Sequence, residues 1–213
     1  MKTDDLVTML ATQSAAVEPN AVTRRYLTGL GWGAVGSVIL MAALLGVRPD
    51  LEFAVRLPMF WVKLAFAGVL TLASGVLALR LARPGSRLSW MPGMLVAPIV
   101  AMWLLAAFVL MTAPSSQRHE LIYGETWASC ISLIAMLSAP VFAAVVWAMR
   151  GLAPTRLRLA GAAAGLVSGS LGALVYALHC PELAAPFIGL WYLLGVLIPA
   201  GIGALIGPRL LRW

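Results

Sequence analysis

Residues 159–207 read "LAGAAAGLVSGSLGALVYALHCPELAAPFIGLWYLLGVLIPAGIGALIG". Two apolar windows, 159–178 and 187–207, flank the polar break "HCPELAAP". At a rise of about 1.5 Å per residue, each window is long enough to cross roughly 30 Å of hydrocarbon as a helix. Neither window holds a formal charge, and the break holds one glutamate. A pair of helices crossing a bilayer in opposite directions is what such a stretch specifies.

The same pattern recurs upstream at 26–47, 57–79, 91–113 and 129–149. Mean hydropathy is +0.94, with 62% hydrophobic and 11% charged residues, too few charges to cover a soluble domain of this length. The chain reads as an all-α integral membrane protein with six transmembrane helices in three hairpins. A cytoplasmic segment, 1–25, precedes the membrane domain, 26–213. The net charge of +7 is gathered at particular gaps and not interleaved with aromatics, so direct nucleic-acid binding is not expected.

Orientation follows from the cations. With the N-terminus cytoplasmic, Lys2, Arg24, Arg25, Arg80, Arg83, Arg87, Arg150, Arg156, Arg158, Arg209 and Arg212 lie inside. Arg48, Arg56 and Arg118 lie outside. Both termini are therefore expected inside. Tyr26, Trp90, Trp147 and Trp213 fall near the inner boundary and Trp61, Tyr123, Trp127 and Trp191 near the outer one, as paired aromatic belts would. Lys63 is the one charge within the six windows and is expected to snorkel to the interface on its aliphatic stem.

"TRRYLTG" at 23–29 has the look of a twin-arginine export signal. The apolar run after it is about twice a typical signal core and lacks a clear cleavage site, so the arginines read as an anchor for the first span. "RLARPGSRL" at 80–88 and "RGLAPTRL" at 150–157 are alike, as a duplicated hairpin or shared turn chemistry would make them. Pro98, Pro140 and Pro199 fall within spans, where neighbours must satisfy the freed carbonyls. Gly161, Gly165 and Gly169, with the pairs Gly29/Gly33 and Gly203/Gly207, predict close helix contacts.

The segment "MKTDDLVTMLATQSAAV" predicts a short helix. Thr3 is placed to cap it, and Asp4 and Asp5 complement the positive end of its dipole. Leu6, Met9, Leu10, Gln13 and Val17 share one face, and "EPN" at 18–20 ends the run. Alone in water so short a helix is marginal. Its apolar stripe is expected to bind the membrane surface or the groove of a protein partner.

The opening break contains His179 and Cys180, and the fourth span opens with Cys130 in "TWASC". On the orientation above, Cys130, Cys180, His119 and His179 all face the outer side, which is oxidising if the membrane is a bacterial inner membrane. Two chemistries are open: a disulfide closing a loop of roughly 50 residues, or capture of a thiophilic ion by Cys130 and Cys180, with His179 and His119 as auxiliary ligands. The chain has no C-x-x-C pair, which argues against a thiol oxidoreductase working with quinone. No ionisable group lies deep within a span, which argues against a transporter.

The opening "TDDLVTMLA", the arginine pair, six spans and one cysteine at each of the last two outer junctions together resemble the NrsF-type anti-sigma factors, membrane-bound negative regulators of sigma factor F. The resemblance covers nearly the whole chain. It implies a regulator, not an enzyme, that holds an alternative sigma factor of the extracytoplasmic-function type at the bacterial inner membrane. It also implies release on heavy-metal or oxidative stress sensed through Cys130 and Cys180. The chain has no cytoplasmic zinc-binding domain, so Asp4, Asp5, Leu6, Met9, Leu10, Arg24 and Arg25 are the expected sigma-factor contacts. No resident cofactor and no small-molecule substrate are expected; membrane lipid and the sigma factor are the expected partners.

Overall fold

The computed structural model describes residues 3–12, 20–83 and 91–212. Lys2, Gln13, Val17, Arg87, Trp90, Trp213 and the turn at 84–88 lie outside the described residues, as do the side chains of Leu6 and Leu10 and most of the "EPN" break. What is described is helical, with no strand. In chain order come α1 (Thr3–Thr12), α2 (Ala21–Leu44), α3 (Leu51–Ala54), α4 (Pro58–Leu81), α5 (Met91–Thr112), α6 (Ser115–Tyr123), α7 (Trp127–Arg150), α8 (Leu157–Tyr176), α9 (Ala185–Phe187), a π-helical turn (Ile188–Tyr192) and α10 (Leu193–Leu210). Six helices are long and apolar enough to cross a membrane, and they coincide with the six windows. The first begins at Ala21 and not at 26, so Arg24 and Arg25 ride on the span itself.

α8 lies at the centre. Alanine, glycine and serine dominate its sequence, so its thin cylinder admits neighbours on several sides. A Cβ on Gly165 would come within 2.1 Å of the Pro199 carbonyl oxygen of α10, and one on Gly161 within 2.1 Å of the Gly203 carbonyl. Gly172 abuts Ile134 and Ser138 of α7, and the Ser74 and Ser170 hydroxyls meet at 3.2 Å between α4 and α8. α2 closes on α7 where Gly29 faces Ala144 and Gly33 faces Val141. Close packing at Gly29, Gly33, Gly161, Gly165 and Gly203 is what the glycine spacing predicted; the Gly172 and serine contacts are additional. α5 stands at the periphery with Trp103, Leu104, Phe108 and Met111 exposed, as a lipid-facing helix would be.

The long helices alternate in direction. One end gathers Arg25, Arg83, Arg150 and the C-terminus of α10: Arg25 lies 5.0 Å above the Trp147 ring, Arg83 donates to Thr23 at 3.0 Å, and Arg150 donates to the Leu210 carbonyl. The other end gathers both cysteines, Lys63 and Arg48. Here α2 stops at Gly46, whose φ of +73° suits the residue after a helix end and whose N–H returns to Met41 O at 3.0 Å.

Two expectations need correcting. Lys63 does not snorkel: it has no solvent exposure, and its stem is enclosed by the bundle. Helix periodicity turns this side chain inward, and loop carbonyls receive the ammonium. Tyr26 is not a belt residue either. It is 1% exposed, points into the bundle toward Gly75, and its hydroxyl has no hydrogen-bond partner among the described residues.

Candidate functional site

The site forms where α7 begins and α8 ends. Thr126 precedes α7, and its carbonyl accepts the Cys130 N–H at 3.0 Å, placing that thiol one turn into the helix. The last turn of α8 runs on through Tyr176, whose carbonyl accepts the N–H of His179 at 2.9 Å and of Cys180 at 3.0 Å. That turn swings Cys180 back toward α7, where its Sγ lies 4.0 Å from Thr126 Oγ1. Tyr176 is buried in the last turn of α8, its ring 5.8 Å from that of Tyr192. Both cysteines are free and fully buried. Two cysteines fifty positions apart in the chain are therefore both gathered around Thr126.

Backbone contacts hold the loop that carries Cys180. Lys63 Nζ donates to the Cys180 and Glu182 carbonyls, each at 2.9 Å, and lies 5.0 Å from the Tyr192 ring centroid. Arg48 donates through Nη1 to the same Cys180 carbonyl at 3.3 Å and through its backbone N–H to Leu178 O at 3.1 Å. Its Nε and Nη2 grip the Asp50 carboxylate, both at 2.7 Å. That fork raises the Arg48 pKa and draws the Asp50 carboxyl below its ordinary value. Farther out, the Glu182 carboxylate accepts the Glu125 N–H at 2.8 Å.

The histidines are engaged elsewhere. His179 Nδ1 is 3.0 Å from the Gly46 carbonyl, and its ring lies 5.8 Å from that of Tyr176. His119 is exposed on α6, stacked on Tyr123 at 4.6 Å. Among the described residues, no group of three or more His, Cys, Asp or Glu side chains is placed to hold a metal ion. The donor set at the site is thus a pair of thiols, which suits an ion that accepts two sulfurs better than a closed four-ligand zinc centre. Of the expected sigma-factor contacts, Asp4 and Asp5 are exposed in the first turn of α1 and Met9 is 54% exposed. Arg24 and Arg25 are exposed at the far end of α2.

Reading the sequence did not single out Lys63, Arg48, Tyr176 or Tyr192 as parts of a site. The available signal was Lys63 itself, since a lone ionisable residue within a span is by default a functional hypothesis. A transporter would want it near mid-span; it sits in the second turn of α4, bound to a loop.

A family model described as negative regulator of sigma F matches residues 10–213. The chain is 56% identical over the full length of both sequences to a protein of Azospira oryzae named probable anti-sigma-F factor NrsF. It is 42% identical, again over the full length of both, to the anti-sigma-F factor NrsF of Caulobacter vibrioides. No solved structure matches it. These relatives are regulatory proteins, not enzymes.

Proposed function

The chain belongs to the NrsF family of negative regulators of sigma F, and from that premise we propose that it sequesters an extracytoplasmic-function sigma factor at the bacterial inner membrane and releases it when Cys130 and Cys180 react. The N-terminal segment supplies the grip. Leu6, Met9 and Leu10 enter a groove on the sigma factor, while Asp4 and Asp5 meet its basic, DNA-facing surface. Arg24 and Arg25 flank that contact at the inner boundary.

One observation carries the sensing half: both cysteines are buried at the same end of the bundle around Thr126, whose hydroxyl lies 4.0 Å from Cys180 Sγ and whose carbonyl accepts the Cys130 N–H. A thiophilic ion binding there displaces two thiol protons. A two-electron oxidant takes two electrons and two protons and leaves a disulfide. Either event changes the volume and hydrogen bonding of a packed site, so α7 and the end of α8 must repack. Release needs only a modest coupling: a hundredfold loss of affinity corresponds to about 2.7 kcal/mol, well within the strength of a metal–thiolate site.

The test is a Cys130→Ser/Cys180→Ser double variant carried with a sigma-dependent reporter. Sequestration is expected to persist, with induction by thiophilic metal or oxidant lost. Normal induction in the double variant refutes the sensor assignment.

A further inference from the structure

The buried ammonium of Lys63 is the feature the proposed function leaves unused. Taking a charge out of water is expensive unless something compensates it. Its recorded partners are two backbone carbonyls and the face of Tyr192. An ammonium has three donors; two are spent on the loop, and the remaining side faces the buried ring of Tyr192. Nothing in this arrangement stabilises α4 on its own, because an apolar side chain at 63 would avoid the desolvation altogether. The arrangement does fix the carbonyl of Cys180.

Arg48 reaches that same carbonyl from the end of α2, and the Arg48 N–H to Leu178 O bond and the His179 to Gly46 contact sew the loop to the 46–48 linker. The loop bearing Cys180 is thus tied by polar bonds to α4 and to the linker that follows α2, and more lightly, through Glu182 and Thr126, to the lead-in of α7, the helix that carries Cys130. Any reaction that draws the two sulfurs together pulls against these ties.

We propose that Lys63, backed by Arg48, is a positioning residue that clamps the Cys180 loop to the first hairpin, setting how readily Cys180 opens to reagents and passing its displacement to α2. This deepens the sensor reading and rests on it. α2 is the helix that leads down to Arg24, Arg25 and the N-terminal segment, so the clamp gives the thiol site a direct mechanical route to the proposed grip.

The experiment uses the full-length protein in phospholipid vesicles, with an impermeant maleimide applied to the side bearing the site and labelling at each cysteine quantified by mass spectrometry. Lys63→Met is expected to raise the Cys180 labelling rate about tenfold, equivalent to about 1.4 kcal/mol of the anchoring that its two carbonyl bonds supply. Lys63→Arg, which can still donate to both carbonyls, is expected to restore it to within about twofold. Arg48→Gln is expected to give an intermediate rise of about threefold. With the cognate sigma factor bound, Lys63→Met is also expected to lower the diamide concentration for half-release about tenfold, again restored by Lys63→Arg. A general loosening of the bundle would not be rescued in that way.

Unchanged Cys180 labelling in folded Lys63→Met overturns the clamp. If that variant does not insert, unchanged labelling in Arg48→Gln overturns it instead. Unchanged diamide sensitivity despite faster labelling overturns the passage to α2. Failure of the sigma factor to bind wild-type vesicles sinks the proposed function, while the labelling series still decides the clamp.

Discussion

At the level of single residues, burial and not composition decides what each polar group does here. Both thiols are sealed from solvent, so reaction at either must wait for a local opening of the loop. The Arg48–Asp50 fork shows how sign follows geometry. Because Arg48 holds the Asp50 carboxyl below its ordinary value, the fork's contribution is present above the unfolded carboxylate range and lost as pH falls through the lowered folded value. Melting of wild type and Asp50→Asn should therefore differ slightly at neutral pH and converge on acidification below about pH 3.9. The effect is small because Asp50 is half exposed and screened by solvent. The sequence showed that Lys63 was unusual but not which way it points. Hydropathy along a span does not specify the face a residue occupies, and Tyr26 was misassigned to a belt for the same reason.

The six long helices were legible because their windows are long and nearly free of charge, and the glycine spacing announced close helix contacts without naming the partners, which are α8 with α10 and α2 with α7. That closeness is testable with one substitution at two places. Gly165→Ala puts a Cβ within 2.1 Å of the Pro199 carbonyl oxygen, whereas a Cβ on Gly201 of α10 meets nothing within 4 Å. Thermal melting in detergent should show Gly165→Ala losing about 1–3 kcal/mol, the usual cost of overpacking, with Gly201→Ala unchanged or slightly more stable. The short elements were not legible. α6 is a nine-residue helix over "SSQRHELIY", too polar and brief for a span and too regular for a loop. The π-helical turn has no sequence signature; it exists because tertiary contacts hold it, among them the Trp103 Nε1 bond to the Gly189 carbonyl at 3.0 Å.

For the molecule as a whole, the cation asymmetry separates an arginine-rich end from an end that holds both sulfurs, and the proposed function assigns the first to the cytoplasm. Alkaline phosphatase fused after His119 should then be active and the same enzyme fused after Ala153 inactive; the reverse pattern would invert the assignment and place the thiols on the wrong side for an external signal. That Cys130 and Cys180 both gather around Thr126 could not be read from the chain, since a linear sequence does not name the neighbour across the bundle. One consequence of the central position of α8 concerns how the protein is made. α2, α4 and α7 are synthesised before α8, the helix they pack against, so in a membrane α4 and α7 would wait with the faces that later meet α8 and its following loop, Lys63 included, uncovered. A chain cut short near residue 150 would expose that buried ammonium to lipid and present quality-control proteases with an unmistakable degradation signal.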